Sequence, residues 1–131
     1  MEIWQTHIML VDDEPSIRAA IRKYMELSDF RISAFGDGHQ AVRFFQEQSR
    51  SIELVLLDLI MPDISGPQVF RELKRTDPEV KVIFMSGYND SQTVRELLAH
   101  DHTRFLQKPF SFDTLLATIS GILEPCETAV R

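Results

Sequence analysis

Short, uninterrupted apolar runs alternate along the chain with segments whose apolar residues recur every three or four positions. The runs Ile8-Met9-Leu10-Val11, Leu54-Val55-Leu56-Leu57 and Val80-Lys81-Val82-Ile83-Phe84-Met85 predict buried strands. Arg31-Ile32-Ser33-Ala34-Phe35 and Arg104-Phe105-Leu106-Gln107 are weaker strand signals. Runs that are apolar almost throughout indicate strands covered on both faces. Helical faces follow each strand: Ile17, Ile21, Tyr24 and Met25; Ala41, Phe44 and Phe45; Val69, Phe70 and Leu73; Val94, Leu97 and Leu98; Phe112, Leu115, Leu116, Ile119 and Leu123. Helix starts are marked by Pro15 after acidic residues, by Ser65-Gly66-Pro67 and by Asn89-Asp90-Ser91.

The pattern is five βα units in succession. Right-handed crossovers then give an α/β fold, a parallel sheet with helices on both faces. In such sheets a site forms beyond the carboxyl ends of the strands. The first strand ends in Asp12-Asp13-Glu14, the third in Asp58, the fourth in Ser86 and the fifth in Lys108-Pro109. The second ends in Gly36-Asp37-Gly38, which reads as a turn with little chemistry.

A length of 131 residues fits one domain, residues 1–131, with a core from about 6 to 124 and short extensions. No repeat, low-complexity tract or Gly/Ser linker interrupts it. The net charge of −6 argues against direct nucleic-acid or anionic-membrane binding, which needs clustered Lys and Arg. No apolar run approaches a membrane span. The N-terminus lacks the basic and apolar segments of a signal peptide, and the single cysteine, Cys126, suits a reducing compartment, so the expected location is cytoplasmic.

Taken singly, each strand-end residue has an ordinary explanation. Asp12 or Asp13 could cap the helix near Pro15, Asp58 could sit in a turn, Ser86 could be a cap, and Lys108 could be solvated. Together they form a constellation. Carboxylates gathered in one cleft require neutralisation, and Mg2+ prefers a few carboxylates plus water. Mg2+ held by Asp13 and Asp58 would screen a phosphoryl donor, Asp58 would attack phosphorus, and Lys108 and Ser86 would hold the phosphoryl oxygens.

The motifs Leu10-Val11-Asp12-Asp13-Glu14, Leu56-Leu57-Asp58-Leu59-Ile60-Met61-Pro62-Asp63, Gly66, Met85-Ser86-Gly87-Tyr88 and Phe105-Leu106-Gln107-Lys108-Pro109-Phe110 occur in order. In these the chain resembles the receiver domain of two-component response regulators over nearly its whole length. The resemblance implies a doubly wound, flavodoxin-like sheet of order 2-1-3-4-5 with five helices. It also implies a self-catalysed phosphoacceptor rather than a turnover enzyme. Asp58 would take the phosphoryl group of a phosphohistidine on a histidine kinase or histidine phosphotransfer domain, and would later lose it by autodephosphorylation. The implied Mg2+ ligands are Asp13, Asp58 and the Ile60 carbonyl, with Asp12 acting through water. The implied switch residues are Ser86 and Phe105, and a cis bond is implied at Lys108-Pro109. The output would pass through the fourth helix, fifth strand and fifth helix to an effector domain or protein, and phosphorylation-dependent dimers belong to the same expectation. The motif around Ser86-Gly87-Tyr88 resembles receivers of hybrid histidine kinases and enhancer-binding regulators. The chain is then a stand-alone receiver or a piece of a larger protein.

The family often has Gly-Ala before the fifth strand, where this chain has His100-Asp101-His102-Thr103-Arg104. His100 and His102 read as solvated loop residues, and His7 and His39 fall near no ligand set. Gly36-Asp37-Gly38-His39-Gln40-Ala41 fits a dinucleotide-binding pattern, yet it follows the second strand rather than the first, so a tight turn is expected. An aspartyl-phosphate phosphatase would carry an acid two residues after its nucleophile, where this chain has Ile60. A pseudo-receiver, binding partners without phosphorylation, remains an alternative that the full acidic, hydroxyl and lysine set disfavours.

Overall fold

The computed structural model describes residues 5–87 and 91–123. Its elements are β1 (His7–Val11), α1 (Pro15–Leu27), β2 (Arg31–Phe35), α2 (Gly38–Gln48), a short 3-10 turn (Ser49–Ser51), β3 (Leu54–Asp58), α3 (Gly66–Thr76), β4 (Val82–Ser86), α4 (Ser91–Leu98), β5 (Thr103–Gln107) and α5 (Phe112–Leu123). All strand pairs are parallel, and the sheet order is β2-β1-β3-β4-β5. This is the doubly wound order expected above.

Alternation along the strands divides the interior into two cores. Ile8, Leu10, Leu54, Leu56, Ile83 and Met85 face α1 and α5, where they meet Ile21, Met25, Leu115 and Ile119. Met9, Val11, Val55, Leu57, Val82 and Phe84 face α2, α3 and α4, where they meet Phe45, Val69, Leu73, Val94 and Leu97. Burying such side chains stabilises the fold by roughly 1.5–3 kcal/mol each. Truncating the fully buried Phe45 to alanine would cost about 3–5 kcal/mol. Ile17 and Leu98, read as core-facing, are 36% and 40% exposed and lie at the margins of their helical stripes.

Helix boundaries follow local chemistry. Pro15 opens α1, where a missing N–H costs nothing. Ser65 and Gln68 form a reciprocal capping box at α3. Asn89 and Asp90, expected to start α4, lie outside the described residues, as does Cys126. The fourth strand begins at Val82 rather than Val80, because the Val80 N–H closes a turn onto the Asp77 carbonyl at 3.0 Å. The first strand gains His7, which is buried between Ser33 Oγ at 2.7 Å and Ser51 Oγ at 3.3 Å. Burial, then the nearby charge of Arg31, holds its imidazole pKa below 6.5.

Before β5, His102 takes a left-handed backbone with φ 65°. It is not simply solvated: its Nε2 lies 3.0 Å from Glu79 Oε1. His100 is exposed and stands edge-on to Phe70, ring centroids 5.1 Å apart.

Candidate functional site

Parallel register brings the strand ends into one row. Val11 pairs with Leu57, Asp58 with Met85 and Ser86 with Gln107. By alternation, Asp12, Asp58 and Lys108 continue the residue sets that face α1 and α5, whereas Ser86 continues the opposite set. Lys108 Nζ accordingly lies 2.8 Å from Asp12 Oδ2 and 3.4 Å from Asp58 Oδ2. The remaining oxygens are also fixed: the Glu14 N–H donates to Asp12 Oδ1 at 2.9 Å and the Ile60 N–H to Asp58 Oδ1 at 3.2 Å. Asp12 is fully buried and Asp58 is 7% exposed. Carboxylate oxygens of Asp12, Asp13 and Asp58 lie within 4.8 Å of one another.

Ser86 is buried beside this group, and its carbonyl accepts the Lys108 N–H at 2.8 Å. The Lys108-Pro109 peptide is cis. Phe105 stands apart from the acids, half-buried against the core under α4 and lining a groove with α5. Ile60 is 57% exposed at the rim. Tyr88 lies outside the described residues.

Burial pushes the Asp58 carboxyl up to about 6. The Ile60 N–H and the Lys108 charge oppose this, while the Asp12 charge adds to it. Desolvation thus dominates over crowding of like charges. At Lys108 burial lowers the pKa, but the hydrogen bond and charge of Asp12 and the charge of Asp58 outweigh it and raise the value above 10.5. The ammonium is therefore firmly charged and serves as counter-ion to two buried acids. Sequence reasoning assigned it only to incoming phosphoryl oxygens. An all-oxygen set of three carboxylates, two of them already oriented by backbone N–H groups, fits a hard divalent cation such as Mg2+.

The glycines after β2 carry the two-residue connection to α2 without a positive φ. They provide space. A Cβ on Gly36 would meet Arg18 Nη1 at 2.5 Å, and one on Gly38 would meet Ile64 Cγ2 at 2.2 Å. Asp37 between them caps α2, accepting the N–H groups of His39 and Gln40. The loop after β3 packs over this helix start, so His39 does fall beside possible ligands, contrary to expectation. Its Nδ1 is 3.0 Å from Asp63 Oδ2, and ligand atoms of Asp37, His39 and Asp63 lie within 4.8 Å of one another. Capping and an exposed hydrogen bond account for this arrangement.

An apolar groove of about 470 Å³ runs from Lys108 along α1, lined by Ile17, Ala20, Ile21, Pro109 and Phe110 among others. Among the described residues no helix is long and apolar enough to cross a membrane.

The family model "Response regulator receiver domain" matches residues 8–120. Sensor kinase CckA of Brucella abortus is 32% identical over 117 residues, covering 89% of this chain and 12% of that protein. Luminescence regulatory protein LuxO of Vibrio campbellii is 32% identical over 114 residues, covering 87% of this chain and 25% of that protein. The chain thus spans between about an eighth and a quarter of these relatives' lengths. Among solved structures, the response regulator protein TrrA of Thermotoga maritima, in complex with Mg(2+)-BeF, superposes with a TM-score of 0.78 at 30% identity, covering 91% of this chain and 100% of that one.

Proposed function

Because this chain belongs to the response regulator receiver domain family, we propose that it is a Mg2+-dependent phosphoacceptor whose Asp58 takes a phosphoryl group from a phosphohistidine. The observation that carries this reading is a buried Asp58 carboxylate, held by the Ile60 N–H and facing Asp12 and Lys108. At neutral pH it is ionised yet poorly solvated, which suits a nucleophile. Its carboxylate oxygen forms the new bond to phosphorus, the P–N bond breaks, and the electron pair stays on the donor imidazole, which takes up a proton. Asp13, Asp58 and the Ile60 carbonyl would hold Mg2+, with Asp12 acting through water, and the cation would screen the phosphoryl charge. TrrA, solved with Mg(2+)-BeF, supports that chemistry by similarity.

Lys108 then exchanges its hold on Asp58 for a phosphoryl oxygen, and the Ser86 hydroxyl donates to another. Phe105, half-buried under α4, changes rotamer in response, and the α4, β5 and α5 face carries the signal to an effector domain or a phosphorylation-dependent dimer partner. The apolar groove beside Lys108 suits the helix of a histidine kinase or histidine phosphotransfer domain bringing its phosphohistidine to Asp58. The proposed setting is cytoplasmic, within a hybrid kinase or regulator of the kinds the relatives represent.

Incubation with acetyl phosphate and Mg2+ tests the reading. The expected product is a base-labile, acid-stable adduct on the peptide containing Asp58, absent with EDTA. No adduct at saturating donor would overturn the proposal in favour of an unphosphorylated interaction module, and continuous turnover of an external phosphoester would favour a phosphatase.

Adduct lifetime depends on access of water to phosphorus. Ile60 is apolar and stands at the rim, where it excludes and fails to orient water. Ile60→Asn should speed loss of the adduct several-fold, short of the roughly 100-fold or more of a positioned general base, because an amide orients water without taking its proton. Decay followed by intact mass at fixed Mg2+ measures this, and an unchanged rate would mean that water enters by another path.

A further inference from the structure

Arg18 lies in the first turn of α1, where a cation opposes the positive end of the helix dipole. It is nevertheless half-buried, and its Nη1 donates to the backbone carbonyl of Asp12 at 2.7 Å. The same guanidinium lies over Gly36, just past β2. A Cβ on Gly36 would come within 2.5 Å of Nη1 and 3.1 Å of Cζ. Gly36 does not have a positive φ, so the backbone there is open to other residues and only the clearance demands glycine. From the other side, the Asp12 N–H donates to the Phe35 carbonyl at 3.0 Å. The main chain of Asp12 is therefore gripped at both its N–H and its C=O. The peptide that carries this C=O leads directly into Asp13.

We propose that Arg18 is a positioning residue for the Mg2+ site, with Gly36 as the gap that admits it. By holding the Asp12 carbonyl, Arg18 fixes the peptide between Asp12 and Asp13 and so sets the direction of the Asp13 carboxylate. This inference rests on the Mg2+ reading above. Two effects of opposite sign act through Arg18. Its charge repels a divalent cation, whereas its hydrogen bond prearranges a ligand. Groups that orient metal ligands from behind typically change affinity about 10–100-fold, which exceeds the effect of one partly screened charge, so position wins.

Titration of MgCl2 into wild type, Gly36→Ala and Arg18→Ala, by calorimetry and by amide shifts of Asp12, Asp13 and Asp58, tests the proposal. Gly36→Ala evicts the guanidinium but keeps its charge. Because the displaced atoms end a flexible side chain, the melting temperature in EDTA should stay near that of wild type while Mg2+ affinity falls about 10-fold. Arg18→Ala should also weaken binding, but by less, because the repelling charge goes too. Gly36→Ala binding as tightly as wild type, or Arg18→Ala binding more tightly, overturns the proposal and leaves the Mg2+ site itself standing. A wild-type chain that binds no Mg2+ removes both.

Discussion

Asp58→Asn should take up no phosphate from acetyl phosphate and, in EDTA at neutral pH, should melt above wild type. The first result follows from loss of the nucleophile. The second follows from linkage. The Asp58 carboxyl titrates near 6 in the folded chain, against 3.8 as its reference. A raised folded pKa favours folding at low pH, and that contribution is lost as pH rises through the folded value. Metal-free wild type should therefore lose stability between about pH 4 and pH 6 by on the order of 1–3 kcal/mol. Asparagine removes this slope. It also removes the 3.4 Å contact to Lys108, but the shorter 2.8 Å contact of Lys108 to Asp12 remains, so the net change is a gain. For a domain of this size the gain is a few degrees in melting temperature. Melts of both proteins from pH 4 to pH 8 in EDTA measure it. Phosphate uptake equal to wild type would end the assignment of Asp58, and an unchanged pH slope would assign the titration to another group.

Lys108→Met should be the most damaging change at the site for the metal-free fold. It keeps an apolar stem and deletes the ammonium shared by Asp12 and Asp58. Breaking a buried pair from one side costs about 3–5 kcal/mol, because the acids left behind remain desolvated. Protonation of Asp58 can relieve part of this, so the cost should shrink in acid. Mg2+ can relieve more, so the rise in melting temperature on adding Mg2+ should be larger in the variant than in wild type. Phosphate uptake should survive and its consequence should not: beryllofluoride should shift the amides of α4 and α5 far less than in wild type. Wild-type-sized shifts would remove Lys108 from the signalling step, and an unaltered melt would contradict the counter-ion role.

How much of this was legible in the sequence depends on whether the signal is periodic. The five strands and their helices announce themselves because burial repeats at fixed spacing, and four of the strand ends carry the chemistry in the chain itself. Boundaries were blurred where a turn hydrogen bond intervened, as at Val80, or where a polar residue found buried partners, as at His7. Side-chain reach was not legible. Nothing in the spacing says that Lys108 neutralises Asp12, which is 96 positions away, or that His39 meets Asp63 across a folded loop. Gly36 and Gly38 looked like turn glycines because glycine usually supplies unusual dihedral angles. Here they clear room for side chains from other elements, a demand visible only once the helices are packed.

The site's lysine rides on an edge of the sheet. β5 pairs with β4 alone, whereas β1 and β3, which deliver the acids, are bonded on both sides and fully buried. A shift of β5 strains one ladder; a comparable shift of β3 would strain two and open both cores. The strand proposed above to carry the response is therefore the one whose displacement is mechanically cheapest, and amide hydrogen exchange should rank the strands in that order, with β3 slowest and β5 among the fastest.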